Sequence, residues 1–403
     1  MIVNAMNPAV IVEALRTPRG AAKETGSLHG VAPVELLAGV LRALQARTGV
    51  DTGQVEDGVF GCVTQTGEQG GNIGKAACLL AGWSPQMGAV TINRFCASGL
   101  SAVNAAALRA RDADTLAVAG GVEMMSRVPM FGDQAPYYSD RALGARLGYV
   151  PPPWSSDLVA TREGTTREQC DRYAALSQAR ALAARRRGLA RSMVPVTDAD
   201  GRVLLDHDEN IREANTVEKL ATLRTVYEPG ANGLDAWGLE REPQLGQIRH
   251  VHTAGNAPCM ADGAAAVLVG TEAAARRLGL PVRARILAQA EACVPLTQTG
   301  AVDATRKALA RAGLQPEDID LWEVRDSFAA ITLHYVNSLG IALERFNVNG
   351  SSIALGHPMG ATGAMLVSCL LDEMEVRGVR YGVAAIPGAF GVATATVFER
   401  IDR

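Results

Sequence analysis

Two stretches of this chain place reactive side chains at turns beside small residues. In INRFCASGLSAVNAAALRA, Cys96 follows the β-branched run Val90–Ile92 and precedes a small-residue helix expected from Gly99 onward. Ser98 is expected to cap that helix. Cys96 then falls at or just before a helix N-terminus, where open amide donors and the positive end of the dipole favour a thiolate. The alternative is a small residue filling core, since free cysteine is among the most buried residue types. In ALGHPMGATGAM, His357 lies between Gly356 and Pro358, ahead of Gly360, Gly363 and another helix. An imidazole titrates near neutrality and could move protons there; the alternative is a loop histidine bonded to backbone.

The elements that must position these residues occur twice. Residues 34–63 read as helix, short turn and strand, and residues 302–328 repeat the plan with an Ala-Arg-x-Gly and a polar turn ending in Asp. Residues 93–126 then give a small-residue loop, a helix, a strand and Gly120-Gly121, and residues 347–391 give the same succession. Two α/β halves with one element order imply duplication. Cys96 and His357 take corresponding places, so pseudo-symmetry would bring their helix starts together as a Cys–His pair. Residues of about 123–253 differ, with the Pro- and aromatic-rich loop PYYSDRALGARLGYVPPPWSSD. After it, Thr165 or Thr166 stands at capping-box spacing before Glu168 or Gln169 and a helix. Such an insertion usually shapes a binding site.

Composition narrows the function classes. The 403 residues are 48% hydrophobic, ample for a packed core, and 39 basic against 42 acidic residues leave a net charge of −3. No nucleic-acid partner is therefore expected. Seven scattered cysteines, at 62, 78, 96, 170, 259, 293 and 369, form no C-x-x-C, so neither a disulfide framework nor a zinc cage is indicated. The first twenty residues lack a basic start with an unbroken apolar run, and nothing approaches a membrane span. A cytoplasmic location without membrane insertion is the expectation.

Other motifs fail on inspection. GEQGGNIGKA has Gln69 where a phosphate loop needs its first Gly and Ala76 where it needs Ser or Thr. His250 and His252 could share one strand face as metal ligands, but no third ligand lies nearby, so packing or backbone bonding is favoured and no metal is expected. Arg185–Arg187 read as a solvated helix face that could also draw an anionic cofactor.

NRFCASGLSA, AGGVEMMSRVPM, HTAGNAPCMADGAAAVLVG, NVNGSSIALGHPMGATGA and GVATATVFER, in this order, resemble the thiolases, acyl-CoA C-acyltransferases that make or cleave 3-oxoacyl-CoA. The resemblance spans essentially the whole chain. It implies α/β with duplicated α/β/α/β/α layered halves: residues 1–122 continued at 254–275, an inserted coenzyme A-binding loop domain at 123–253, and a second half at 276–403. It also implies a homodimer or homotetramer, with acyl-CoA and coenzyme A as substrates and no tightly bound cofactor. Cys96 would be the acylated nucleophile, and His357 would activate it and help bind the thioester oxygen. Arg325, Asp326 and Gly388 become candidates for oxyanion or substrate contacts, and Ala254, Pro258, Arg185 and Arg186 for coenzyme A.

The match breaks in four places. Arg325-Asp326-Ser327-Phe328 stands where the family commonly has Asn-Glu-Ala-Phe. The second, acid/base cysteine is missing; its place aligns with Ala385 or Pro387, and no cysteine follows Cys369. Pro151-Pro152-Pro153 replaces a His-Met-Gly at the acyl pocket, and Pro258 replaces a serine facing coenzyme A. These changes suggest altered substrate or reaction. Asp326, His357 or an ordered water could replace the lost acid/base, and Arg325 could bind a substrate anion bidentately. Two other functions stay open: a ketosynthase-like condensing enzyme or acyltransferase to a non-CoA acceptor, and a non-catalytic coenzyme A-binding partner subunit.

Overall fold

A computed structural model describes residues 7–188, 191–230 and 233–401. Nine strands build its main sheet: β1 (Ala9–Arg16), β2 (Val55–Gly61), β3 (Val90–Ile92), β4 (Leu116–Met124), β5 (Ala261–Thr271), β6 (Ala284–Cys293), β7 (Leu321–Val324), β8 (Tyr381–Pro387) and β9 (Val392–Arg400). Their spatial order is β7-β8-β9-β6-β1-β5-β4-β2-β3, with the short Gly20–Ala21 strand added against β5. The order is the same, read outward from the centre, in both directions. β1 pairs antiparallel with β5, β5 antiparallel with β4, and β4 parallel with β2. Likewise β6 pairs antiparallel with β9, β9 antiparallel with β8, and β8 parallel with β7. Even β3, parallel to β2, has a counterpart in a single parallel bridge from Trp322 to Phe346. The expected duplication is present for the four inner strands of each half.

Helices layer this sheet. On one outer face α1 (Pro33–Thr48) and α2 (Ile73–Leu80) pack through Leu37, Leu41, Leu44 and Ile73. Pro33 supplies the fixed φ that suits a first helical position, and left-handed Gly49 ends α1. Between the halves lie α3 (Ser98–Ala113) and a later long helix, whose core joins Ala106 and Leu366 to Val267 of one half and Ile386 of the other. A helix buried nearly all round needs small residues and few charges, which is how both of these sequences read. The remaining outer face is covered by α6 (Gly300–Ala312) and α7 (Ala329–Leu339) with α8 (Met359–Arg377) as that second central helix. The five layers are therefore helix, sheet, helix, sheet, helix.

The segment between β4 and β5 is more helical than its prolines suggest. It holds a helix at Arg141–Leu147, then α4 (Pro152–Glu163) and α5 (Arg167–Arg187). Pro152 and Pro153 occupy the first turn of α4, where a missing N–H costs nothing. Thr166 and Gln169 form the reciprocal capping box that opens α5. His250 and His252, for which packing or backbone bonding is the favoured reading, bond to side-chain carboxylates and so lock α4 in place. His250 Nδ1 and His252 Nδ1 lie 2.8 and 2.7 Å from the two oxygens of Asp157, and His250 Nε2 lies 3.1 Å from Asp235.

Candidate active site

The starts of α3 and α8 meet because both are glycine-rich. A Cβ on Gly363 would fall 2.1 Å from the Leu100 nitrogen, and one on Gly99 would fall 2.7 Å from the Gly360 oxygen. Only glycine permits backbones this close. Glu123, at the end of β4, ties the junction from the first half. Its carboxylate accepts from the N–H groups of Val63 (2.9 Å), Thr64 (3.0 Å) and Gly360 (2.9 Å) and from Gln69 Nε2 (2.8 Å). Burial pushes the Glu123 pKa up against these four donors, which hold the charged form.

Cys96 stands on a sharp turn. Phe95, immediately before it, has φ +48°, in the left-handed region that a bulky side chain rarely adopts. Ser98 does not cap the helix as expected: the N-cap is Ala97, with no side-chain hydrogen bond. The Ser98 hydroxyl donates to Phe95 O (2.6 Å) and accepts from the Arg94 N–H (2.8 Å), so it holds the strained turn closed. The loop after β8 presses on the same place. Phe390, also left-handed at φ +58°, stacks on Phe95 at 5.6 Å between ring centroids. Gly388 lies so close that a Cβ would be 3.4 Å from the Cys96 nitrogen, and its N–H donates to Val392 O (2.7 Å). That amide is engaged inside its own hairpin.

His357 is buried and oriented. Its backbone N–H donates to Cys259 O (2.7 Å), and Nδ1 lies 2.7 Å from Thr362 Oγ1, one turn into α8. Nε2 is buried without a partner. Burial first, then the positive charges of Arg325 and Arg19, hold the imidazole pKa well below its usual 6.5, so the ring is neutral at physiological pH.

Cys96 and His357 line one cavity of about 310 Å³ with Arg325, Phe328, Cys259 and Pro258. Pro151, Pro152 and Pro153 line it as well, with Phe131, Tyr138, Tyr149 and Tyr227 from the inserted segment. Arg325 is 4% exposed; its Nη1 donates to Ser327 Oγ (2.9 Å) and Pro387 O (3.0 Å), while Nε has no partner. Asp326 turns the other way. It accepts from Ile353 N–H (2.8 Å) and from the Ser177 hydroxyl of α5 (2.9 Å), and burial pushes its pKa up to about 7. Asp326 is therefore a strut between α5 and the His357 loop, outside the cavity lining.

The coenzyme A candidates divide. Pro258 lines the cavity, and Ala254 is exposed four residues before it. Arg185 lines a separate cavity near Asp208 and pairs with Glu213 at 3.3 Å, and Arg186 is exposed beside it. Neither arginine lines the Cys96 cavity. Ala385 and Pro387, where the second cysteine was sought, are buried in β8. A second thiol does line the cavity from another direction, Cys259, which burial makes harder to ionise. Composition alone gave no reason to single out Cys259, whereas Thr362, five residues after a candidate base and on the next helical turn, was a readable signal. Among the described residues no group of His, Cys, Asp and Glu is arranged to hold a metal ion, and no helix is long and apolar enough to cross a membrane.

Comparison with known proteins agrees with this architecture. Residues 9–234 match the thiolase N-terminal domain profile and residues 280–400 the thiolase C-terminal domain profile. The 3-ketoacyl-CoA thiolases of Vibrio vulnificus and Shewanella loihica are each 39% identical to the chain, over 98% of it and the whole of the relative. That of Shewanella denitrificans is 40% identical over the same shares. With the duplicated sheet, the paired helix starts and these full-length relatives, the chain belongs to the thiolase family.

Proposed function

We propose that the chain is an acyl-CoA C-acyltransferase acting on 3-oxoacyl-CoA and acyl-CoA thioesters through an acyl group carried on Cys96. The observation that carries this reading is the shared cavity of Cys96, on its strained turn, and the buried, unpartnered Nε2 of neutral His357. With Nδ1–H donating to Thr362, Nε2 is the free acceptor for the Cys96 proton. The thiolate attacks the 3-oxo carbon, the bond between C2 and C3 breaks, its electron pair leaves as the enolate of acetyl-CoA, and the shortened acyl group stays on Cys96. His357, now protonated, returns a proton to C2, and Cys259 is a second lining group that can do so. Coenzyme A thiol then attacks the acyl-cysteine, its proton passing to His357, and Cys96 is regenerated. Run in reverse, the same steps condense two thioesters.

Coenzyme A enters as a substrate, its reactive end reaching Cys96 past Pro258 while the inserted segment 123–253 holds the rest. Exposed Met130, Phe131 and Met260 at the cavity suit a homo-oligomer that covers them, and the bacterial relatives suit a cytoplasmic setting. The test is to incubate the protein with 3-oxoacyl-CoA and coenzyme A and follow acetyl-CoA and the shortened acyl-CoA by liquid chromatography with mass detection. Stoichiometric appearance of both is expected. Consumption of thioester to free acid, or transfer only to a non-CoA acceptor, would overturn it.

A further inference from the structure

The cavity around Cys96 carries one permanent charge. Among the described residues Arg325 is its only lysine or arginine, and no aspartate or glutamate lines it. Nor does any carboxylate lie within ion-pair distance of the Arg325 guanidinium among the described residues. Its sequence neighbour Asp326 is engaged instead by Ser177 and the Ile353 amide. Ser327 and the Pro387 carbonyl hold Nη1 in place, and Nε is left without a partner. A buried guanidinium without a paired carboxylate is costly, and this one is fixed in position by neutral groups, with Asp326 acting on it through its field but not by an ion pair.

Two anions could meet Arg325 during turnover. One is the Cys96 thiolate, whose field helps keep the guanidinium protonated against burial. That anion disappears as soon as the sulfur is acylated, because a thioester is neutral. Once the enolate has taken up its proton, the resting acyl-enzyme gives Arg325 no negative charge in this apolar cavity unless the acyl group brings one. A planar fork that pairs bidentately with a carboxylate is what guanidinium offers and an asparagine-held water does not.

We propose that Arg325 selects acyl groups bearing a carboxylate, so that dicarboxylic acyl-CoA and 3-oxoacyl-CoA thioesters are the preferred substrates of this cavity. The proposal rests on the acyl-transfer reading for its chemistry, but the binding preference can be measured without turnover. In the Cys96→Ala protein, calorimetry would compare succinyl-, glutaryl- and adipyl-CoA with butanoyl-, pentanoyl- and hexanoyl-CoA. At least one carboxylated member should bind about tenfold or more tighter than its neutral counterpart. Arg325→Gln in the same background should erase that preference while leaving the neutral series unchanged, and Arg325→Lys should restore only part of it. Equal affinity for the two series in the Cys96→Ala protein would overturn the proposal whatever the variants do. An Arg325→Gln loss spread evenly over both series would also overturn it, and would assign Arg325 to the thioester or thiolate instead. If the binding preference stands but no thioester acylates the unaltered protein, the acyl-transfer reading fails and the carboxylate site survives.

Discussion

The turns that open α3 and α8 hold equivalent places in the two halves and have been put to opposite uses. The first turn strains Phe95 into the left-handed region, leaves Cys96 partly exposed, and closes itself with the Ser98 hydroxyl. The second buries His357, fixes its ring through Thr362, and has its helix start pinned by Glu123 reaching across from the other half. One turn leaves a thiol partly exposed; the other keeps a ring from water. The duplicated frame supplies position, and the local side chains set how each of the two residues is held.

The comparison breaks most directly at the two reactive residues. Cys96→Ala should lower acyl transfer by about 10³-fold or more, since no bond to the acyl group can form. His357→Ala should lower kcat by about 10²–10⁴-fold, the usual worth of a positioned acid/base, with little change in KM. Steady-state kinetics checks both, and equal, small losses would mean the turns are not differentiated as described. The closeness of the turns is tested by two glycines. Gly363→Ala places a Cβ 2.1 Å from the Leu100 nitrogen and should cost about 1–3 kcal/mol of unfolding free energy or more. Gly39→Ala, in α1 with nothing within 4 Å of the new Cβ, should instead stabilise by about 0.5–1 kcal/mol. Denaturant titration separates them by sign.

Smaller effects sharpen the account. Thr362→Val keeps the shape beside His357 but removes the bond to Nδ1, and should lower kcat by about tenfold without moving KM. The pH profile follows from the depressed His357 pKa. The neutral ring is the active form, so activity is retained as pH falls through 6.5 and is lost only at a lower pH. An acid limb centred at 6.5 or above would contradict the buried, cation-flanked setting of the ring.

Much of this was readable from residue types and spacing. Val90–Ile92, the helix after Cys96 and the repeated helix-turn-strand plan follow from periodicity and glycine placement, and the structure has them. That Cys96 and His357 would line one cavity was readable because duplication makes equivalent positions neighbours. What could not be read were choices made by distant contacts. Asp326 looked like an acid for the cavity, but it is fully buried away from the lining, held by Ser177, 149 residues away in sequence. Ser98 looked like a cap because its type and place fit; its hydroxyl instead closes the turn at Phe95, whose ring packs on Phe390. Cys259 entered the cavity through the bridge between Met260 and His357, a pairing no local pattern announces. Arg185 sits two turns past Ser177 on α5, too far along the helix to serve the same cavity.

The central claim is that Cys96 carries the acyl group. Intact-protein mass spectrometry after incubation with acyl-CoA and 3-oxoacyl-CoA esters, followed by peptide mapping, tests it directly. The predicted result is one acyl adduct, located on the peptide containing Cys96, absent in Cys96→Ala and discharged by free coenzyme A. An adduct on Cys259 or any other residue, or turnover in the Cys96→Ala protein, would contradict it.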